Sequence, residues 1–391
     1  MRIGFVSTYP PIHCGVGEYT RMLSSGLKGR RPGLRITVLA EEGVGKPYTD
    51  TQTDTLVLPS FKARSPQSFK RILDRLQELG GVDILHVQHE YGIYGRGEEI
   101  VNNVLEAREE GLARRVVFTL HTVYHHCRRG PEAGFQEAVI TEADAVIVHS
   151  PIQEYELQAQ ANSYPQALYR IPHGTSVNPY LGTPRLELVQ RLGLDKGILE
   201  GFIVGFAGFL RPDKGLDTLA EALGLLGPGW RSGIHVLVGG EVRDEKLARL
   251  LEDLKGRGVT YMPRYLSGSE ILMLAALSDV IVLPYKDPPG KYSVSGILHM
   301  SMGSMKPIIG SNTPRLSELY TLTPRLVFRA GDPGELARRL EEINTRGYYD
   351  VILSYASPLY SYAVRTSWPR MAGRHISLYE RLLRKELKPS P

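Results

Sequence analysis

The chain has 391 residues, of which 42% are hydrophobic and 23% are charged. This composition excludes a disordered or a collagen-like chain and indicates a globular protein. A single hydrophobic core stops growing at roughly 250–300 residues, so we expect two domains.

The formal net charge is +5, and the excess of lysine and arginine lies in the second half of the chain. No continuous basic stripe or nucleic-acid-binding motif accompanies it, so we expect no nucleic acid partner. The first residues hold only a short apolar run, and no stretch has the roughly 18 apolar residues of a membrane span. We therefore expect a cytoplasmic protein in which Cys14 and Cys127, the only two cysteines, are reduced thiols.

In the first half of the chain, short β-branched runs alternate with longer amphipathic segments. The predicted strands are Ile3–Ser7, Ile36–Ala40, Thr55–Leu58, Ile84–Gln88, Val116–His121, Ala145–His149 and Tyr169–Pro172. The predicted helices between them include Glu18–Leu27, Ser68–Glu78, Gly97–Arg108 and Pro131–Ala143. Strands separated by helices of this length indicate βαβ units and a parallel sheet.

A second alternating series begins after Gly174, and the Pro- and Gly-containing segment Ser176–Gly201 is predicted to connect the two halves. In chain order the predicted elements are Ile203–Gly208, Leu216–Leu225, Gly233–Gly239, Lys246–Lys255, Val259–Tyr261, Ser269–Leu277, Val280–Pro284, Ile297–Met302, Pro307–Gly310 and Arg325–Phe328. The last fifty residues or so are mostly helical by pattern. This series predicts a second parallel α/β domain.

Ligands of open parallel sheets bind beyond the carboxyl ends of the strands. Two such sheets facing each other would therefore form a ligand-binding cleft between two Rossmann-like domains. The predicted division is residues 1–175 for the first domain, 176–365 for the second and 366–391 for a C-terminal helix, which the family resemblance described below implies returns to the first.

A glycine-containing loop follows the first predicted strand. Gly15 and Gly17 precede a helix, where bare backbone N–H groups and the helix dipole favour an anion. A dinucleotide fingerprint is the alternative, but the first glycine comes late after the strand and Thr20 stands where a third glycine is needed. We expect an anion-binding loop without a nicotinamide cofactor.

Histidines gather around two predicted strand ends. A metal site is one interpretation, because His121 and His125 are four positions apart and Cys127 is a competent ligand. Histidines at this spacing share one side of a helix, however, whereas His121 ends a predicted strand. We therefore expect polar residues lining a cleft, and no metal. The residues in this group are His86, His89, His121, His125, His126 and Cys127.

Two cations follow the first strand of the second domain. Arg211 and Lys214 lie in the turn between Gly208 and a helix, where they are well placed to bind a pyrophosphate. Two solvated surface cations are the alternative interpretation. A second turn, with Ser293, Ser295, Gly296 and Ile297 at the start of a predicted helix, offers further donors, although a plain N-cap would explain one serine.

Residues 62–75 form a short basic and amphipathic segment. Five cations, Lys62, Arg64, Lys70, Arg71 and Arg75, alternate with Phe69, Ile72 and Leu73, and Phe61 precedes them. One hypothesis is a peripheral contact with anionic lipid at the inner face of the cell membrane. The alternative is an ordinary solvated helix face that covers the sheet.

The order of these motifs resembles that of the family 4 retaining glycosyltransferases, which have the GT-B fold of two facing Rossmann-like domains. The resemblance covers nearly the whole chain. The motifs that carry it are the Gly15/Gly17 loop, Gln88-His89-Glu90-Tyr91-Gly92, Thr119-Leu120-His121, Ile171-Pro172-His173-Gly174, Arg211-Pro212-Asp213-Lys214-Gly215, Ser295-Gly296 and Lys306-Pro307-Ile308-Ile309.

The resemblance implies a role for several residues. The donor nucleotide would lie mainly on the second domain, with Arg211 and Lys214 on its diphosphate and the Gly15/Gly17 loop closing over the phosphates. The family's usual arginine after the strand glycine is replaced by Phe209. His121 would orient the sugar, whereas Glu90 and His89 are expected to contact the sugar or the acceptor. In the family, a pair of glutamates contacts the sugar and the ribose, and Tyr292 and Met300 stand at the matching positions.

The sequence therefore predicts a metal-independent hexosyltransferase that acts on a nucleotide sugar with retention. By resemblance, GDP-mannose is the first expected donor and UDP-glucose the second, and the acceptor is a carbohydrate, a lipid-linked molecule or a small molecule. The oligomeric state is left open. Two alternatives also stay open: a GT-B glycoside phosphorylase, and a catalytically inactive protein that binds sugar nucleotides.

Overall fold

The computed structural model describes residues 1–162, 165, 167–227, 233–256 and 258–384. The chain divides into two compact units. The N-terminal unit comprises Met1–Gly174, Pro289–Val294 and Trp368–Pro391, and the C-terminal unit comprises Thr175–Pro288 and Ser295–Ser367. Of the predicted C-terminal helix 366–391, residues 385–391 lie outside the described part. No described helix combines the length and the apolar character that crossing a bilayer requires.

The N-terminal unit is built on an eight-stranded sheet with the order β3-β4-β2-β1-β5-β6-β8-β9. All neighbours are parallel except β3 and β4. The strands are β1 (Arg2–Ser7), β2 (Arg35–Glu41), β3 (Tyr48–Asp50), β4 (Thr55–Phe61), β5 (Val82–His89), β6 (Ala113–Leu120), β8 (Ala145–Val148) and β9 (Leu168–Arg170).

Seven described helices belong to this unit. They are α1 (Gly15–Arg30), α2 (Arg71–Glu78), α3 (Tyr91–Tyr94), α4 (Glu99–Glu109), α5 (Pro131–Glu142), α6 (Pro151–Ala161) and α16 (Trp368–Arg384). Hydrophobic residues alternate along the strands between two apolar clusters, one on each face of the sheet. Helix α16 contributes Trp368, Met371, Ala372 and Tyr379 to one cluster, together with Phe5 of β1.

A short strand pair in the N-terminal unit joins residues that are distant in sequence. Strand β7 (Thr122–Tyr124) pairs antiparallel with β14 (Lys291–Ser293), with Ser293 opposite Thr122. The Nε2 of Gln153 also donates a hydrogen bond to the carbonyl oxygen of Tyr292, at 3.3 Å. This segment therefore belongs to the N-terminal unit, although its neighbours in sequence belong to the other.

The C-terminal unit is a six-stranded parallel sheet with the order β12-β11-β10-β13-β15-β16. Its strands are β10 (Phe202–Ala207), β11 (Ile234–Gly239), β12 (Val259–Met262), β13 (Val280–Leu283), β15 (Ile308–Ser311) and β16 (Val327–Phe328). The described helices are α7 (Arg185–Leu192), α8 (Leu216–Leu225), α9 (Glu245–Leu254), α10 (Gly268–Leu277), α11 (Gly296–Ser301), α12 (Ser317–Leu322), α13 (Pro333–Thr345), α14 (Tyr348–Val351) and α15 (Ser357–Arg365). A π-helix (Ile352–Ala356) lies between α14 and α15.

The structure differs from the predicted elements at several places. The predicted connection Ser176–Gly201 contains helix α7, whose Leu188, Val189 and Leu192 are buried. In the basic segment 62–75, the apolar side chains of Phe69, Ile72 and Leu73 are buried in the core, as is Phe61 before the segment. They are therefore not available to enter a membrane, and the segment covers the sheet as the alternative interpretation proposed.

Candidate active site

Three neighbouring strands of the C-terminal unit bring their carboxyl ends to one edge of the sheet. Strand β13 lies between β10 and β15, and both pairings are parallel. The turn after β10 carries Arg211 and Lys214, Tyr285 follows β13, and Arg315 follows β15. Parallel pairing thus brings together three chain segments that are far apart in sequence.

Two glycines with positive φ shape the turn after β10. Gly208 has a φ of 123°, and a Cβ there would lie 3.2 Å from Ile297 Cγ1. Gly215 has a φ of 71°, and a Cβ there would lie 1.8 Å from the carbonyl oxygen of Pro284. Only glycine fits both the conformation and the space at these positions. This close approach places Lys214 beside the residues that follow β13.

Lys214 is half-buried, and its Nζ lies 4.0 Å from the centroid of the Tyr285 ring. Burial lowers the pKa of Lys214 to about 7, because removal from water disfavours the ammonium ion. Arg315 adds a like charge that acts in the same direction. No described carboxylate forms an ion pair with this ammonium group. Asp213 and Asp287 act on Lys214 through their charge without an ion-pair contact, so an incoming anion can bind the ammonium form without displacing a carboxylate.

Arg315 is a buried cation that the sequence motifs did not indicate. Its Nη1 lies 2.9 Å from Asp213 Oδ2, and its Nη2 contacts Asp287. Its guanidinium lies 5.2 Å from the centroid of the Tyr285 ring, on which Lys214 also packs. Arg315 thereby holds the turn after β10 against the loop after β13. Its position in the turn that follows a predicted strand, five residues after Gly310, is the signal that could have identified it.

Arg211 is exposed and forms a two-point ion pair with Asp213. The Nε–Oδ1 distance is 3.0 Å, and the Nη2–Oδ2 distance is 3.1 Å. Asp213 is therefore shared between Arg211 and Arg315. An exposed pair of this kind is weak, so phosphate oxygens can replace the carboxylate as partners of the Arg211 guanidinium.

The second predicted anion turn is divided between the two units. Ser293 is the last residue of β14 in the N-terminal unit, so the prediction that it begins the helix is wrong. Ser295 caps α11 by accepting a hydrogen bond from the Leu298 N–H at 3.1 Å, and its Oγ lies 3.2 Å from Tyr285 Oη. Gly296 begins α11, and Ile297 follows it and faces Gly208. The strand pairing of β7 with β14 overrides the local helix signal at Ser293.

In the N-terminal unit, His121 lies at the carboxyl end of β6. Its Nε2 is 3.0 Å from Gln88 Oε1, and its ring contacts Tyr19 edge-on at 4.8 Å between centroids. Burial holds the pKa of His121 well below its usual value, so the imidazole is neutral. A neutral imidazole has one donor nitrogen and one acceptor nitrogen, which suits hydrogen bonding to sugar hydroxyls.

His89 lies in the apolar core, contrary to its expected contact with sugar or acceptor. Its ring stacks on Phe135 at 3.9 Å and on Tyr94 at 5.4 Å between centroids, and it has no exposed surface. Burial lowers its pKa to about 3. A ligand cannot reach His89 in this position. The reason is that β5 ends with this side chain on the sheet face covered by α3 and α5.

Glu90 directly follows β5 and is half-buried. Its Oε2 accepts a hydrogen bond from Thr122 Oγ1 at 2.7 Å, which holds the carboxylate at the carboxyl ends of β5 and β6. Gly15 and Gly17 lie in the first turn of α1, which begins at Gly15, so the prediction of a loop before a helix that starts at Glu18 is wrong. Their backbone N–H groups remain at the N-terminal end of the helix. A Cβ at Gly17 would lie 3.2 Å from backbone atoms of Tyr9, whereas Gly15 faces open space.

The predicted histidine cluster is divided among different places. His86 is buried beneath α16, where its Nδ1 lies 2.7 Å from Tyr379 Oη. His121 lies at the sheet edge with His149 and His173, whose rings neighbour that of Tyr19. His125, His126 and Cys127 lie in the loop after β7.

Comparisons with known proteins agree with this architecture. Residues 14–178 match the family model Glycosyltransferase Family 4. The D-inositol 3-phosphate glycosyltransferase of Saccharomonospora viridis is 26% identical over 158 residues, which are 38% of this chain and 36% of that protein. The chain thus spans only about a third of the length of this curated relative.

The chain has the GT-B fold. Anabaena HepE in complex with UDP and glucose has a TM-score of 0.72 at 15% identity, covering 97% of this chain and 100% of that one. The catalytic domain of starch synthase IV from Arabidopsis thaliana, bound to ADP and acarbose, has a TM-score of 0.70 at 15% identity, covering 98% and 99%. These likenesses confirm the predicted fold, and the family match over residues 14–178 agrees with the resemblance seen in the motifs. The family match ends four residues after Gly174, the last residue of the first segment of the N-terminal unit.

Proposed function

We propose that this protein binds a nucleoside diphosphate sugar on its C-terminal unit and transfers the hexosyl group to an acceptor with retention. One observation carries the proposal: the ammonium group of Lys214, which has no carboxylate partner among the described residues, lies at three adjoining strand ends. A diphosphate is the leaving group in such a transfer. Cations fixed where its charge develops stabilise the transition state most strongly.

The three cations at this site have different roles in the proposal. Lys214 and Arg211 contact the diphosphate, because one has no partner carboxylate and the other has an exposed, exchangeable one. Arg315 is held between Asp213 and Asp287 and keeps the turn in place. The backbone N–H groups of Gly296 and Ile297, at the start of α11, are further proposed donors to the phosphates.

On the N-terminal unit, His121 is the proposed partner of the sugar and Glu90 the proposed contact of the sugar or acceptor. Both follow neighbouring strands of one sheet, β5 and β6. A neutral His121 orients hydroxyl groups without adding charge near the anomeric carbon. The Gly15/Gly17 turn is proposed to cover the phosphates through backbone N–H groups.

The identity of the donor is proposed at the level of its class. HepE is known in complexes with UDP, glucose and UDP-glucose, and starch synthase IV in one with ADP. These complexes support a nucleoside diphosphate as the leaving group. GDP-mannose stays the first expected donor and UDP-glucose the second, with a carbohydrate, lipid-linked or small-molecule acceptor. The proposed transfer uses no metal ion.

Binding of nucleotides to wild-type and variant proteins tests the proposal. We expect GDP, UDP or ADP, or one of their sugars, to raise the melting temperature by mass action. Lys214→Ala should weaken donor binding by about 10–100-fold, the loss typical of a charged hydrogen bond, and Arg211→Ala by less. Lys246→Ala, which removes an exposed lysine of α9, is the matched control and should bind normally.

The outcomes separate the proposed enzyme from its alternatives. Unchanged donor binding in both Lys214→Ala and Arg211→Ala would remove the diphosphate assignment. Stabilisation by inorganic phosphate with a glycoside, but not by nucleotides, would favour a phosphorylase. Saturable binding of a nucleotide sugar, with no release of the nucleoside diphosphate in the presence of any acceptor tested, would favour an inactive binding protein.

A further inference from the structure

Three consecutive residues with metal-binding atoms directly follow strand β7 in the N-terminal unit. His125, His126 and Cys127 each offer one ligand atom, and these atoms lie within 4.8 Å of one another. The two imidazole rings are nearly parallel, with 4.3 Å between their centroids. Both histidines are half-buried and Cys127 is exposed, so an ion can reach the group from solvent.

A buried carboxylate orients one of the histidines. Glu156 of α6 is 3% exposed, and its Oε2 accepts hydrogen bonds from His126 Nδ1 at 2.7 Å and from the His126 backbone N–H at 2.8 Å. With its proton on Nδ1, His126 presents the lone pair of Nε2 for coordination. A metal-binding imidazole commonly donates the N–H of its other ring nitrogen to a carboxylate, as His126 does to Glu156.

The loop is also held in place by its backbone. The His125 N–H donates to the carbonyl oxygen of Gly290 at 3.0 Å, and the Arg128 N–H donates to the His125 carbonyl oxygen at 2.9 Å. His125 Nδ1 accepts a hydrogen bond from the Cys127 N–H at 3.1 Å. An ion bound at Nδ1 would take over the lone pair that now accepts this amide. These hydrogen bonds hold the loop in a conformation in which the three ligand atoms are already within 4.8 Å of one another.

We propose that His125, His126 and Cys127 bind one zinc ion, with Glu156 as the positioning residue for His126. Two imidazole nitrogens and a thiolate form a ligand set that zinc prefers, and a fourth position stays open to water or to another ligand. Binding releases the proton of the Cys127 thiol, because the thiolate is the ligand. None of these four residues is among those proposed for glycosyl transfer, so the expectation of a metal-independent reaction is unaffected.

Cobalt substitution tests the site without reference to activity. Titration of the purified, reduced full-length protein with Co²⁺ should give one equivalent of a thiolate-to-cobalt charge-transfer band, which zinc then removes. Cys127→Ala should abolish the band, and His126→Ala should weaken binding at least tenfold. Cys14→Ala, which removes the only other thiol, is the matched control and should bind like wild type. Glu156→Gln should weaken binding about 10–100-fold.

A second measurement needs no variant. One equivalent of zinc should slow the alkylation of Cys127 in the wild-type protein and leave that of Cys14 unchanged, with the modified residues identified by mass spectrometry. Melting temperatures measured with a chelator present will show whether each variant is folded. The absence of a thiolate-to-cobalt band, or a band that persists in Cys127→Ala, would overturn the site. So would alkylation of Cys127 that zinc does not slow.

Discussion

Lys214 and Arg315 both pack on the Tyr285 ring, but they differ in how their charges are compensated. Arg315 is paired with Asp213 and Asp287, whereas Lys214 has no described carboxylate partner. A half-buried cation without an ion-pair partner is costly in the folded protein. At a site for an anion, this cost is recovered when the ligand binds, which is why we assign the diphosphate contact to Lys214.

The lowered pKa of Lys214 predicts a pH dependence of donor binding. With a pKa of about 7 in the folded protein, Lys214 binds its proton less tightly than in the unfolded chain. Its contribution to the free energy of unfolding therefore rises with pH above about 7, up to the ordinary lysine pKa of about 10.4. Affinity for a nucleotide sugar should move the opposite way and fall by up to about tenfold per pH unit above pH 7, because the diphosphate prefers the ammonium form.

Calorimetric titration at several pH values checks this prediction. A nucleotide sugar is the suitable ligand, because its diphosphate does not titrate near neutral pH. The wild type should take up a proton on binding at pH 8, and Lys214→Met should bind weakly with a flat pH profile. Equal slopes in the two proteins would show that another group is responsible.

Substitution of Arg315 should destabilise the C-terminal unit. Arg315→Met leaves the carboxylate of Asp287, whose side chain is 5% exposed, without its cationic partner. Breaking a buried pair from one side costs about 3–5 kcal/mol in the free energy of unfolding. Denaturant unfolding measures the loss, and the double variant Arg315→Met/Asp287→Asn should recover part of it. No recovery would mean that the pairing with Asp287 is not the cause.

At the scale of elements, the helices and strands follow from local pattern and the exceptions follow from distant contacts. Predicted Leu216–Leu225 matches α8 residue for residue, because a helix of this length shows its period within its own sequence. Helix α7 was missed, since it lies within a segment where Pro179, Gly182 and Pro184 suggested a linker. Ser293 is in a strand only because β7, far earlier in the chain, pairs with it.

The contact of Gly174 with the start of α16 gives a prediction at this scale. A Cβ at Gly174 would lie 2.3 Å from Trp368 Cδ2, so Gly174→Ala must displace the indole ring. Overpacking of this kind costs about 1–3 kcal/mol and should lower the melting temperature. Gly182→Ala, where nothing lies within 4 Å of the added Cβ, is the control and should be nearly neutral. An equal effect in both variants would contradict the packing argument.

At the scale of the whole molecule, the last described helix, α16, covers part of one face of the N-terminal sheet. Trp368, Met371, Ala372 and Tyr379 lie in one apolar cluster with Phe5, near the other end of the sequence. Tyr379 Oη also lies 2.7 Å from the buried His86 Nδ1. The N-terminal unit therefore depends on a segment that is synthesised after the C-terminal unit.

A chain truncated after Ser367 should not form a stable N-terminal unit. The truncation exposes the apolar sheet face that α16 covers, and the exposed surface should bind a hydrophobic dye and aggregate. Tyr379→Phe, which removes only the hydroxyl group, should lower the free energy of unfolding by about 1 kcal/mol. Dye binding and calorimetry provide the measurements. A cooperative, soluble truncated protein would contradict the dependence.

The amino-acid sequence by itself determined two series of alternating strands and helices, the glycine-bounded turn with Arg211 and Lys214, and the motif order typical of family 4 glycosyltransferases. These features depend on periodicity and backbone preferences that act over a few residues. Only the tertiary structure placed Arg315 beside Lys214, moved Ser293 into the N-terminal unit and buried His89 among aromatic rings. Such placements depend on which strands become neighbours, and side chains from distant segments meet only after the sheets have formed.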